Sequence, residues 1–171
     1  TQEERELSLE FFKKPLVWID APKEEYHLES PGRSKARERE AELVIEKAIK
    51  ILRCTKDLKI GVITFYKKQA EILKEKAETK FTYDDLSRIE IGTVDSFQGK
   101  EYDVVILSFV RANNEKKDDL RRKVGFLNDQ RRLCVAFSRA KSLLVAIGDS
   151  ETVEVVPCIK ELVKFCREGK G

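Results

Sequence analysis

The chain contains no methionine, one histidine (His27) and four cysteines that form no CxxC pair. A zinc or iron–sulfur site is therefore not expected, and no residue is assigned as a metal ligand. No apolar run approaches the ~20 residues of a membrane-spanning helix, so no membrane partner is expected. The free thiols and the absence of a signal-like beginning predict an intracellular protein, cytoplasmic or nuclear (nucleoid in a prokaryote). The lack of methionine also fits a fragment of a longer chain.

The sequence also lacks the phosphate-binding loop GxxxxGK(S/T) and the acidic metal-holding strand end of motor ATPases. Gly-Lys pairs occur only at 99–100, followed by Glu101, and at 169–170. The chain alone is therefore expected to be inactive as an ATPase. Its net charge of +3 indicates nothing about nucleic acid, because 34 basic residues are balanced by 31 acidic ones. Any binding surface must arise from local charge.

Short apolar runs alternate with helical patterns along the chain. Strands are predicted at Leu16–Asp20, Leu58–Thr64, Arg88–Val94, Val104–Val110 and Leu143–Ile147. Helices are predicted from a Ser34 cap to about Cys54, from Phe65 to about Ala77, after a cap at Asn128 or Asp129, and from Ser150 to about Glu168 with Phe165 facing inward. This alternation indicates an α/β fold with a doubly wound, mainly parallel sheet and helices on both faces.

The remaining segments are predicted to be connections. Residues 23–34 and 78–87 are polar, and the charged run 112–123 is expected to be a mobile surface loop. Residues 1–14 form a lead-in segment, and residues 15–171 form one domain. The connection 95–103 is shorter than the dozen or so residues of a parallel crossover. The strands on either side of it are therefore either not adjacent or joined by a short helical turn.

Candidate site residues concentrate between Arg88 and Asp149. In a doubly wound sheet, ligands bind outside the carboxyl ends of the strands, where Thr64, the segment 93–101, Arg111 and Asp149 are expected. Arg132 and Arg139 are seven residues apart, so a helix that carries both would present them on one face. Two guanidinium groups on one face can bind a phosphate. Alternatively, both arginines are solvated and cover a packed helix.

Two stretches resemble helicase motifs V and VI of superfamily 1B, in the branch of the nonsense-mediated-decay helicase and senataxin. Residues 93–103 read TVDSFQGKEYD, against the family pattern (S/T)VDxFQGxExD, and residues 125–141 read GFLNDQRRLCVAFSRAK, against GFLNDPRRLNVALTRAK. The segment 60–69 is similar to a motif IV-like pattern, IGVITPYxxQ, with Phe65 in place of proline. Gln130, Cys134 and Phe137 are further departures, which we interpret as repacking.

The resemblance extends from about residue 16 to 149. It implies the RecA-like fold of the second motor domain of a helicase, detached from the N-terminal RecA-like domain that mainly holds ATP with Mg²⁺. Arg139 matches the family's arginine finger, and Arg132 is a second catalytic candidate as a phosphate contact or hinge. The nucleotide-binding turn corresponds to four residues, Gln98, Gly99, Lys100 and Glu101.

The resemblance also implies a grip on single-stranded DNA or RNA. The matching residues are Thr64, Tyr66, Thr93, Asp95, Ser96 and Asn128. For Tyr66, simple packing is an equally good interpretation. Two other functions remain possible for the chain, namely a nucleic-acid-binding module without catalysis and a protein-interaction domain of the same fold.

Overall fold

The computed structural model describes residues 13–169, and it confirms the predicted α/β class. The strands are β1 (Leu16–Asp20), β2 (Ile60–Thr64), β3 (Ile89–Thr93), β4 (Tyr102–Ser108) and β5 (Ala140–Gly148). The helices are α1 (Lys23–Tyr26), α2 (Glu38–Cys54), α3 (Lys67–Lys80), α4 (Tyr83–Arg88), α5 (Leu120–Lys123), α6 (Gln130–Phe137), α7 (Ser150–Val153) and α8 (Pro157–Arg167). Two 3₁₀ turns span Val94–Phe97 and Gly125–Asn128.

The five strands form one sheet in the order β1-β5-β4-β2-β3, and every neighbouring pair is parallel. Strand β2 lies between β3 and β4, with Thr64 opposite both Thr93 and Ser108. The short connection between β3 and β4 therefore joins strands that are not adjacent, and it contains a 3₁₀ turn. Both alternatives that the sequence left open are combined in this one connection.

Helices cover both faces of the sheet, which is the RecA-like arrangement. On one face α2 and α3 pack on the strands through fully buried residues such as Val44, Ile45 and Leu73. On the other face the core contains Phe97, Leu133 and Ile159, from the first 3₁₀ turn, α6 and α8. Each fully buried aliphatic or aromatic side chain contributes about 1.5–3 kcal/mol, so these two layers hold the sheet in place.

The prediction that Ser34 caps α2 is wrong. Helix α2 begins at Glu38, and the Arg37 backbone N–H donates to the Gln69 side chain at 2.8 Å. The hydroxyl of Ser34 instead accepts from the Lys68 backbone N–H, in the first turn of α3, at 3.1 Å. The Arg37 N–H and the Ser34 hydroxyl thus both bond to α3, more than thirty residues away, instead of forming a local helix cap.

Three predicted connections contain helix. Residues 23–26 form α1, and α4 occupies 83–88, where Thr82 and Asp85 form a reciprocal capping box. Residues 112–123 are not simply a mobile surface loop, because Ala112, Asn113 and Lys123 are buried and the segment ends in α5. The Thr-x-x-Asp pattern at 82–85 was a sequence signal for α4.

The last predicted helix is broken in two. Helix α7 ends at Val153 and α8 begins at Pro157, since proline fits the first turn of a helix but cannot continue one. Phe165 was predicted to face inward, but its side chain is 41% exposed.

The lead-in predicted for residues 1–14 lies mostly outside the described residues. Within residues 13–169 no helix is long and apolar enough to cross a membrane.

Candidate functional site

The chain between β3 and β4, residues 94–101, crosses one face of the sheet. We refer to it as the crossing segment. It leaves β3 after Thr93, level with the carboxyl end of β4, and it returns to the amino end of β4 at Tyr102. The ring of Phe97 is fully buried beneath it and anchors it to the sheet. Gly99, with φ of 76°, makes the turn that returns the chain to the strand.

Helix α6 packs against the crossing segment. Asp129 caps the helix, since its carboxylate accepts from the backbone N–H groups of Arg131 at 3.0 Å and Arg132 at 3.4 Å. This confirms one of the two caps predicted. The helix ends at Phe137, however, so Arg139 lies beyond it and the two arginines do not share a helix face. They contact opposite ends of the crossing segment.

Arg132 lies at the start of α6, near the first residues of the crossing segment. Its guanidinium is 3.6 Å from the Asp95 carboxylate and 3.7 Å from that of Asp129. It also lies over the ring of Phe126, 5.0 Å from the ring centroid. The side chain is 36% exposed, so a positively charged group is held in place but remains accessible.

Arg139 lies at the other end, between α6 and β5. Its guanidinium donates to the Val135 carbonyl at 3.1 Å, to the Lys100 carbonyl at 3.1 Å and to the Ser138 hydroxyl at 3.0 Å. Its own carbonyl accepts from the Tyr102 backbone N–H at 2.9 Å. A guanidinium has five N–H donors, so within residues 13–169 two of them remain for another ligand.

The expected position outside the carboxyl ends is wrong for residues 98–101 of the predicted segment 93–101. The segment 98–101 leads into the amino end of β4, and Arg139 immediately precedes the amino end of β5. Thr64, Thr93, Arg111 and Asp149 lie at or just beyond carboxyl ends, as do the first residues of the crossing segment. The reason is geometrical: β3 and β4 run parallel, so the chain that leaves the carboxyl end of β3 must run the full length of the sheet to reach the amino end of β4.

The four candidate nucleotide-binding residues, Gln98, Gly99, Lys100 and Glu101, are all exposed. Lys100 is held by Glu90 of β3, at 2.6 Å between the ammonium and the carboxylate. Burial acts to raise the pKa of Glu90, but hydrogen bonds from Lys100 and Tyr102 outweigh it, so the pKa is lowered. Burial and the same hydrogen bond raise the pKa of Tyr102 to about 12.

Two candidate nucleic-acid contacts lie in the interior. Thr64 is fully buried, and its hydroxyl has no hydrogen-bond partner in the part of the chain that the structure describes. Tyr66 is 3% exposed, its hydroxyl donates to the Val124 carbonyl, and burial raises its pKa. The placement of Tyr66 favours the alternative of simple packing.

The other four candidates are accessible. Asp95, Ser96 and Asn128 are exposed, and Thr93 is half-buried. The Ser96 hydroxyl donates to the Thr93 carbonyl at 2.7 Å, which holds the start of the crossing segment in a tight turn. Asp95 contacts Arg132, and Asn128 lies in the 3₁₀ turn that precedes α6.

Sequence reasoning missed two residues of this region. Phe126 is 51% exposed although it is aromatic, and its ring lies beside Tyr66 at 5.5 Å between centroids. Glu29 is in a polar stretch with no periodicity, yet its carboxylate binds Arg111 at 2.9 Å. No sequence signal marked Glu29, because the hydrogen-bond partners of its carboxylate are more than eighty residues away. Among residues 13–169, no three histidine, cysteine, aspartate or glutamate side chains are grouped to hold a metal ion.

Comparison with known proteins adds independent information. A family profile described as "AAA domain" matches residues 1–151. RNA helicase Mov10l1 of Mus musculus is 39% identical over 106 residues, covering 62% of this chain and 9% of the relative. DNA polymerase alpha-associated DNA helicase A of Saccharomyces cerevisiae is 39% identical over 150 residues, covering 83% of this chain and 20% of the relative. Helicase sen1 of Schizosaccharomyces pombe is 41% identical over 96 residues, covering 56% and 5%.

The chain thus spans a fifth or less of the length of these relatives. The parallel sheet, the two motifs and the helicase relatives all indicate the same family. The chain belongs to the superfamily 1B helicases, as a RecA-like domain of that family.

Proposed function

We propose that this chain is the second motor domain of an ATP-dependent helicase that moves along single-stranded DNA or RNA. It works together with an N-terminal RecA-like domain of the same protein. The observation that carries the proposal is the joining of the two motifs. Arg132 contacts Asp95 at one end of the crossing segment, and Arg139 binds the Lys100 carbonyl at the other. A change at either motif is thereby transmitted to the other.

Arg139 acts as the arginine finger. Its three hydrogen bonds fix the guanidinium, and its two remaining donors bind phosphate oxygens. ATP with Mg²⁺, held mainly by the N-terminal domain, supplies the phosphoryl group. An arginine in this role neutralises charge that develops in the transition state and contributes about 10³–10⁵ in rate. Arg132 stabilises the start of α6 and is a second phosphate contact.

The exposed turn 98–101 binds the nucleotide from the same side. Gly99 has no atom within 4 Å of where a Cβ would lie, so its backbone is open to a ligand. The exposed carboxylate of Glu101 accepts from a ribose hydroxyl. Lys100 stays bound to Glu90 and orients the turn rather than moving.

Nucleic acid binds the accessible polar side chains of Thr93, Ser96 and Asn128. Their hydroxyl and amide groups suit a phosphate or a sugar, and such contacts position a strand without reading its sequence. Asp95 has the same charge sign as phosphate, so it acts by holding Arg132 or by accepting from a hydroxyl. Thr64 and Tyr66 are buried, so they act on the strand through the residues packed around them. Because ATP and nucleic acid are found inside the cell, we propose that the protein is intracellular.

The test is the ATPase rate of the full-length protein with single-stranded nucleic acid, comparing wild type with Arg139→Ala. We expect kcat to fall by about two decades or more while the protein stays folded. Arg131→Ala is the matched control, because Arg131 is an exposed arginine of α6 whose side chain makes no hydrogen bond or ion pair within the described residues.

If Arg139→Ala stays within about threefold of wild type, less than ~1 kcal/mol of barrier, the arginine-finger assignment is wrong. The chain would then act as a binding or interaction domain that keeps the motif for packing. The isolated chain is expected to show no ATPase activity in either case, because it has no phosphate-binding loop.

A further inference from the structure

Three consecutive backbone carbonyls just before the second 3₁₀ turn, those of residues 122–124, each accept from a different buried side chain. Arg111 Nη2 donates to the first. Asn113 Nδ2 donates to the second at 2.9 Å, and Tyr66 Oη donates to the third at 3.4 Å. All three side chains are at most 8% exposed. We refer to the three donor residues, Arg111, Asn113 and Tyr66, as the carbonyl clamp.

Glu29 holds the clamp together from the other side. Its Oε2 atom accepts from Arg111 Nε at 2.9 Å, from the Ala112 backbone N–H at 2.7 Å and from Asn113 Nδ2 at 3.1 Å. Arg111 Nη1 also donates to the Tyr66 hydroxyl at 3.2 Å. One carboxylate thus orients two of the three clamp residues directly and the third through Arg111.

The clamp determines the position of the backbone more than it adds to the free energy of unfolding. The Arg111 and Glu29 side chains are 5% and 7% exposed, and a buried ion pair recovers little net free energy after desolvation. The hydrogen bonds of the clamp, however, fix the position and orientation of the backbone at residues 122–124. Gly125 follows immediately with φ of 50°, and a Cβ there would lie 2.5 Å from Arg111 Nη1. The close approach of the backbone to Arg111 requires glycine at this position.

The clamped carbonyls are only a few residues from α6. The 3₁₀ turn Gly125–Asn128 and the cap Asp129 connect them directly to the helix that begins at Gln130. Within this short connection Leu127 is buried, and its backbone N–H donates to the Val124 carbonyl at 3.1 Å. A shift at residues 122–124 therefore displaces the start of α6.

We propose that the carbonyl clamp and Glu29 are positioning residues for ATP hydrolysis. Their hydrogen bonds hold residues 122–124, which lead into α6, against the segment that follows β4. They thereby determine the positions of Arg132 and Arg139. This rests on the function proposed above. Neither clamp nor Glu29 touches the nucleotide; they act through α6. A displacement of about 1 Å at a catalytic group can cost roughly 10²-fold in rate, so small changes in the clamp should be measurable.

The experiment uses Tyr66→Phe, which deletes one buried hydroxyl, and Glu29→Gln, which keeps the shape of the side chain but removes its charge. Tyr83→Phe and Glu25→Gln are matched controls, because both residues are exposed. Each variant is made in the full-length protein. Amide hydrogen exchange of the segment 122–137 and steady-state ATPase kinetics are measured well below the unfolding temperature.

We expect amide exchange in 122–137 to rise about tenfold or more in both test variants, while the amides of β2 and β4 keep their protection. We expect kcat to fall roughly fivefold or more with KM for ATP nearly unchanged, since the clamp affects the transition state and not ground-state binding. The two control variants should match wild type in both measurements.

Three results overturn the proposal. Unchanged exchange in 122–137 means that the clamp does not hold this segment. Increased exchange with unchanged kcat, in a protein that Arg139→Ala inactivates, leaves the function intact but removes the positioning role. If Arg139→Ala is also fully active, the proposed function itself fails and the positioning role with it, while the exchange data still report on the clamp.

Discussion

Glu90 connects two residues of the motif V region through one carboxylate. It accepts from the Lys100 ammonium at 2.6 Å and from the Tyr102 hydroxyl. Lys100 is in the crossing segment, and Tyr102 is the first residue of β4. The ring of Tyr102 also packs on that of Phe97 at 5.3 Å between centroids. A single charge in β3 thus orders the turn that we assign to the nucleotide.

The titration of Tyr102 tests this arrangement. Its pKa is raised from an ordinary 10.0 to about 12 by burial and by the Glu90 carboxylate. The raised pKa means that the folded state favours the protonated phenol. Its contribution to stability is therefore complete below about pH 10 and is lost as the pH rises through about 12. Glu90→Gln should move the Tyr102 pKa back toward 10, since it removes the negative charge.

Phenolate absorbance in the near ultraviolet measures the Tyr102 pKa, with Tyr102→Phe subtracted to remove the other three tyrosines. Glu101→Gln is the matched control, because it removes a charge from an exposed neighbour and leaves the Glu90 hydrogen bond in place. A Tyr102 pKa near 10 in the wild-type protein would contradict the hydrogen bond.

At the scale of elements, α6 depends on its cap. It has only eight residues and is too short to be stable alone. Two of its first backbone N–H groups donate to the Asp129 carboxylate, which also places a negative charge at the positive end of the helix. Leu133 and Ala136, both buried, attach the helix to the sheet.

Removal of the cap should loosen α6 without unfolding the domain. We expect Asp129→Ala to lower the free energy of unfolding by about 1 kcal/mol, within a range of roughly 0.5–2. Asp129→Ser should recover most of the loss, because its hydroxyl can accept the same N–H groups. Chemical denaturation measures both. Equal stability of the alanine and serine variants, below that of wild type, would mean that the Asp129 charge and not its capping bond matters.

At the scale of the whole molecule, the buried carboxylate of Glu40 connects α2 to the end of β4. The Glu40 carboxylate, fully buried, binds Arg37 at 3.0 Å, the Ser108 hydroxyl at 2.7 Å and the Val110 backbone N–H at 2.9 Å. Val110 has φ of 68°, an unfavourable value for a β-branched residue. Burial raises the pKa of Glu40, and Arg37 and its hydrogen bonds oppose that rise.

Loss of this carboxylate should affect global stability. Glu40→Ala leaves Arg37 buried without its charge partner, and we expect a loss of about 3–5 kcal/mol in the free energy of unfolding. Urea denaturation is the measurement. Glu42→Ala is the control, since Glu42 is 41% exposed and its pairs with Arg39 and Lys76 should contribute less than about 1 kcal/mol. Similar losses in the two variants would contradict the importance of burial.

The predicted elements and the observed ones differ in instructive ways. All five strands were found, because buried parallel strands are short apolar runs that can be recognised locally. Strand β4 is displaced by two residues toward the amino end from its predicted range, since the apolar run continues into the buried residues 109–110. Helix α4 was missed although its capping box is visible in the sequence.

The candidate site was predicted in part. Motif matching identified Arg132, Arg139 and the turn 98–101, and the structure brings the arginines to the same crossing segment. It could not identify Glu29 or the burial of Thr64, because both depend on contacts between distant parts of the chain. The roles of these residues in catalysis and binding remain predictions that the proposed experiments address.

The sequence alone determined the α/β class, the mainly parallel sheet and the family, and it limited the cap of α6 to Asn128 or Asp129, since each rests on local periodicity or on a contiguous motif. Only the tertiary structure decided that β2 lies between β3 and β4, that Arg139 stands at the amino end of β5, and that Glu29 holds Arg111. Strand order and buried ion pairs depend on which distant segments meet, and that is decided when the core closes.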